Sequence, residues 1–241
     1  MKSLKAFIND FVYLFKSNSI SESIAEIKKS AIEDTASLLH PYGKTIVMIV
    51  KTVHDIPMLL FWSKIERFLR GIDSLSCDER QRIIERFADD GNEEYVKRLI
   101  CLIDDMDVDD KIDFIANLTK ALAEGFIDTD MYFRLIHSIK NTLYEDLLYL
   151  KQNVRNNEIP RNINIVSLEQ TGLAYQSVIG GEGVYEVSDL GTKVVYYGVE
   201  YDNMDQNEDL HFKLGSPISI PPGLEPLKEN VVNQEVHATW K

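Results

Sequence analysis

Residues 109–154 read DDKIDFIANLTKALAEGFIDTDMYFRLIHSIKNTLYEDLLYLKQNV, and their periodicity decides the fold class. Apolar side chains recur at three- and four-residue steps. They run first through Phe114, Ile115, Leu118 and Leu122, then through Phe133, Ile136, Ile139, Leu143, Leu147 and Leu150. That spacing places them on one face of a helix, whereas a half-buried strand would alternate every second residue. The punctuation agrees. Asp109 or a neighbour supplies a helix start, Gly125 a left-handed stop, and Asp128 or Thr129 a second start. The stretch predicts one helix ending at Gly125 and a long one reaching roughly Val154.

The same signals extend toward the N-terminus. Pro57 suits the first turn of a helix carrying Phe61, Trp62, Ile65, Phe68 and Leu69, and Gly71 stops it. Ser76 and Glu79 have capping-box spacing ahead of Ile83, Ile84 and Phe87, and Asn92 can cap a helix with Tyr95, Leu99, Ile100 and Ile103. At the front, Leu4, Phe7, Ile8, Phe11, Leu14 and Phe15 form a strong amphipathic stripe. Ser17-Asn18-Ser19 ends that helix, and Ser19 with Glu22 opens another running to about Leu39, before the breaker His40-Pro41-Tyr42-Gly43. Lys44 to Trp62 is the most hydrophobic stretch. Lys51, His54 and Asp55 in its middle are costly in lipid, so a buried helix is preferred over a membrane-surface segment or a span.

Toward the C-terminus the character changes. Asn156-Asn157-Glu158-Ile159-Pro160 reads as a loop, and Leu168 to Ala174 as a short helix ending at Gly172. Tyr175–Ile179 and Val184–Val187 read as strands around the turn Gly180-Gly181-Glu182-Gly183, and Ser188 caps a helix over Asp189–Val199. Beyond Tyr201 the chain is polar, with Pro217, Pro221, Pro222 and Pro226, and an extended tail is expected. The expected fold is mainly α: an antiparallel multi-helix array, then a small α+β module, then the tail. The segments are 1–56 (amphipathic and hydrophobic helices), 57–155 (helical body), 156–200 (α+β module) and 201–241 (tail).

Charge narrows the partners. The net charge of −13 argues against a general affinity for nucleic acid, whose phosphates need clustered Lys and Arg. Residues 1–70 carry ten Lys or Arg against seven Asp or Glu, a balance of +3, so the remainder carries −16. Cys77 and Cys101 fit no zinc spacing and read as reduced packing thiols. No apolar run followed by a cleavage site marks a secretory signal, so a cytoplasmic location is expected, with membrane association through residues 1–62 as the alternative.

Catalytic and metal motifs fail one by one. Asp105, Asp107 and Asp109 suggest a calcium loop, but its sixth and twelfth positions hold Asp110 and Ala116 where Gly and Glu are required. Those carboxylates read instead as first-turn groups facing a helix dipole. His40, His54, His137, His211 and His237 are scattered, and His137 reads as a structural histidine near the apolar face of its helix. Gly180-Gly181-Glu182-Gly183 lacks the Lys of a phosphate loop, and Glu182 would repel phosphate. No catalytic residue, cofactor or metal site is expected.

Two resemblances carry further expectations. Leu168-x-x-x-Gly172-Leu173, the glycine turn, and Tyr185-x-Val187-Ser188-x-Leu190-Gly191 together resemble the wing half of winged-helix domains. The resemblance implies a wing hairpin followed by a closing helix. Residues 160–200, however, set Arg161 and Lys193 against Glu169, Glu182, Glu186, Asp189 and Glu200, which suits protein contact better than DNA. Over Ile112–Leu150, especially Gly125-Phe126-Ile127-Asp128 and Asp146-Leu147-Leu148-Tyr149-Leu150, the chain is similar to uncharacterised helical proteins of bacterial genomes and mobile elements. That likeness implies a role in conflict between phage and host. The expected function is a non-enzymatic interaction or regulatory protein with a protein partner. Leu4, Phe7, Phe11, Leu14 and Phe15 form one candidate docking face and the wing-like module the other. Self-burial of that apolar face is its competitor, and a membrane effector or winged-helix regulator are the alternative functions.

Overall fold

The computed structural model describes residues 2–32, 56–88, 94–177 and 183–201. Leu4, the tail beyond Tyr201, Asn92 and most of the hydrophobic stretch from Lys44 lie outside the residues whose side chains are described. The chain is mainly helical, with one small three-stranded antiparallel sheet.

The Phe-rich stripe forms α1 (Lys2–Phe15), and its apolar side chains turn into the core. Phe7 and Ile8 are buried, and Phe11, Leu14 and Phe15 have no exposed surface. Phe11 and Phe15 stack on Phe68 of α3 (Ile56–Gly71), with ring centroids 6.2 and 6.4 Å away. The end of α1 is closed from a distance. Buried Arg80 donates through Nε to the Phe15 carbonyl at 2.8 Å, and its two Nη groups donate to the carbonyls of Leu75 and Ser17. These are orphan acceptors of a helix end and turn, and a buried cation is well suited to them. Ser19 then caps α2 (Ile20–Ile32), accepting from Glu22 N at 3.2 Å. Asp73 ties the start of α2 to the turn after α3, accepting from Ile20 N and the Ser21 hydroxyl.

The body continues with α4 (Cys77–Ala88), α5 (Glu94–Asp104), α6 (Asp110–Glu124), α7 (Thr129–Asn141) and α8 (Tyr144–Asn153). The box before α4 closes both ways: Glu79 Oε2 accepts from Ser76 N at 2.7 Å, and Ser76 Oγ accepts from Glu79 N at 3.2 Å. Gly125 ends α6 in the left-handed region at φ 81°, and Asp128 caps α7 by accepting from Met131 N. Gly71 does more than stop α3. A Cβ there would lie 2.6 Å from the Cβ of Ala116, so its absence lets α3 and α6 approach.

The expected long helix from Asp128 to Val154 is two helices. Thr142 and Leu143 are extended (ψ 137° and 146°), and the buried Thr142 hydroxyl donates to Ser138 O at 2.7 Å. A threonine that bonds back to its own turn weakens helix continuation. The break turns Leu143 outward while Leu147 and Leu150 remain fully buried, so a continuous apolar stripe conceals a corner.

The α+β module departs from the sequence expectation in four places. Residues 159–160, expected as loop, form strand β1 (Ile159–Pro160). The helix starts five residues early, as α9 (Ile163–Gln170), because Asn162 caps it by accepting from Ile165 N at 2.9 Å. Ala174, expected at a helix end, opens β2 (Ala174–Gln176), which pairs with β3 (Val184–Val187). The sheet order is β1-β3-β2, with Ile159 opposite Tyr185 and Tyr175 opposite Glu186. Ser188 caps α10 (Asp189–Lys193), after which the chain widens into a π-helix over Val194–Val199 in place of the expected α-helix. That π segment packs on α6, where Asn117 donates to Gly198 O at 2.9 Å. The change of architecture at residue 156 is therefore no break in the core, which runs as one cluster from Phe7 to Tyr197.

Candidate functional site

Of the expected docking face, Phe7, Phe11, Leu14 and Phe15 are withdrawn into the core. The physical reason is the partner that α1 finds inside its own chain: the aromatic and aliphatic face of α3 saturates its stripe. No open apolar face remains at these four residues.

Asp105, Asp107, Asp109, Asp110 and Asp113 are paired with cations from several elements. Arg67 donates to Asp110 Oδ1 at 2.7 Å and to Asp113 through Nε and Nη2 at 2.8 and 2.6 Å, with Asp109 at 3.8 Å. The paired carboxylates, led by the hydrogen bonds that Asp113 accepts, hold its guanidinium above the ordinary arginine value. Lys140 meets Asp105 at 2.5 Å, and Lys111 meets Asp107 at 2.7 Å. Burial opposes ionisation of Asp107, and the hydrogen bond and charge of Lys111 together with backbone hydrogen bonds outweigh it, keeping the carboxyl below its usual range. Lys64 closes the end of α5, donating to the carbonyls of Asp104 and Met106. Asp109 sits at the cap position of α6 without a side-chain cap bond, and Asp110 and Asp113 stand in its first turn, so these carboxylates face the helix dipole as expected while also pairing with Arg67. Beside this network lies an open depression of about 500 Å³, lined by Ser63, Glu66, Arg67, Arg70, Gly71 and Asp113.

Among the described residues, no three His, Cys, Asp or Glu side chains come together as a metal site, and no helix is long and apolar enough to cross a membrane. His137 is exposed, contrary to its expected place near the apolar face. Cys101 is likewise exposed, not packed, whereas half-buried Cys77 donates to Lys16 O at 3.0 Å. Both thiols are free.

A different surface emerges where α8 meets α9. Asp146 is buried, and its two oxygens accept from Asn164 Nδ2 at 2.8 Å and Ser167 Oγ at 2.6 Å. This bond fixes α9 against the first turn of α8. Leu143 stands one turn before Asp146 and Ile163 directly precedes Asn164, so each is close in the chain to one end of this contact. They are the most exposed large apolar residues described, at 60% and 84%. On the neighbouring sheet, Tyr175 is 46% exposed and donates its hydroxyl to Glu186 at 2.6 Å, with Ser177 donating to the other oxygen of that carboxylate. The Glu186 carboxylate raises the Tyr175 phenol above its ordinary value. Periodicity concealed this surface, because Leu143 continues the apolar stripe and Ile163 falls where no helix was expected. Asn162, a good cap residue one position before Ile163, was the available signal.

Comparison with protein-family models, with curated proteins and with solved structures finds no match to this chain.

Proposed function

We propose that this chain is a non-enzymatic interaction protein whose contact surface is the start of α8 together with the wing-like module of residues 156–200. The observation that carries the reading is the pair Leu143 and Ile163, both exposed and each close in the chain to one end of the part-buried Asp146–Asn164 bond. Two large apolar side chains held in place by a rigid polar anchor provide the fixed hydrophobic centre that a protein interface uses. Tyr175 adds a ring of the kind enriched at such contacts.

Local charge favours protein over nucleic acid. Between residues 160 and 200 the two cations are Arg161 and Lys193, and Lys193 is bonded to Asp189. Few cations remain to neutralise phosphates. The sheet order and the glycine corner at Gly172 (φ 76°) support the wing-like reading of shape without supplying the chemistry of a DNA-binding wing.

The test is gentle affinity purification of the tagged full chain beside a Leu143→Asp/Ile163→Asp variant. Both sites are on the surface, so the variant should keep its melting temperature, each change costing within about 0.5 kcal/mol. A stoichiometric protein retained by the wild type and lost from the variant is the expected result. Equal recovery with both chains would move the contact elsewhere, and no protein with either would remove the interaction reading.

A further inference from the structure

We draw no further inference here: the strongest candidate, the open depression between α3 and α6 lined by Glu66, Arg67, Arg70 and Asp113, belongs to the ion-pair network already described, in which each lining charge is met by an opposite charge of the same chain.

Discussion

Replacing Phe11 by Ala separates a core helix from a docking helix. Phe11 has no exposed surface, and its ring lies 5.8 Å from Phe15 and 6.2 Å from Phe68. Truncating a buried phenylalanine costs about 3–5 kcal/mol, from lost transfer free energy and the cavity left behind. The upper part of that range applies, because two aromatic contacts vanish with the ring and each is worth roughly 0.5–1.5 kcal/mol. For a chain of this size about 1 kcal/mol corresponds to roughly 2–4 °C, so a loss of about 4–5 kcal/mol should lower the melting temperature by about 8–20 °C. Urea unfolding followed by far-ultraviolet circular dichroism gives the free energy, and calorimetry gives the melting temperature. Asn9→Ala, exposed on the same helix, is the control and should stay within about 0.5 kcal/mol of wild type. A loss below about 1 kcal/mol in Phe11→Ala would refute the packing argument. It would return α1 to the surface as a docking face. If the packing argument holds, partner loss in this variant reports unfolding and not a severed contact.

Three further expectations follow from single contacts. Arg80→Met removes the donors to the carbonyls of Phe15, Ser17 and Leu75, and should cost about 3 kcal/mol, since bonds from a charged donor are worth about 1.5–3 kcal/mol each and do not add. Faster hydrogen exchange at the α1–α2 junction should accompany it, and unchanged protection there would count against the clamp. Glu79 is held below the ordinary carboxylate value of 4.5 chiefly by its hydrogen bond with Ser76. Its contribution is therefore present above pH 4.5 and lost as pH falls through the lower folded value. Ser76→Ala should cost about 1 kcal/mol near neutrality and flatten that part of the acid limb in a melting series, and an acid limb identical to wild type would contradict the assignment. Gly191→Ala would place a Cβ 2.2 Å from Leu173 O and 2.9 Å from Val187 Cγ1. Backbone must move to admit it, so a cost at or above about 3 kcal/mol, with lost amide protection in β2 and β3, is expected. Wild-type protection in that variant would show that the close approach is relieved in solution.

The helical class, the caps at Ser76, Asp128 and Ser188 and the stop at Gly125 were legible in the sequence, because each depends on residues within one turn of one another. A three-residue hydrogen bond or a 3.6-residue period is local, and local patterns survive in a string of letters. Strand β3 was also legible with both its ends, from β-branched and aromatic residues between a glycine turn and a capping serine. What concerned burial against distant residues was not. Whether Phe7, Phe11, Leu14 and Phe15 meet a partner or the chain itself depends on the placement of Phe61 and Phe68, some fifty residues away. The same limit hid β1, a two-residue strand that exists only because β3 offers it an edge. It also hid the corner at Thr142, since the apolar letters on both sides keep one phase while the backbone turns. Sequence by itself determined the helical class, the local caps and stops and the acidic character of this chain. Tertiary structure alone decided which apolar face stays in water, because exposure is a property of what packs alongside and no single segment encodes it.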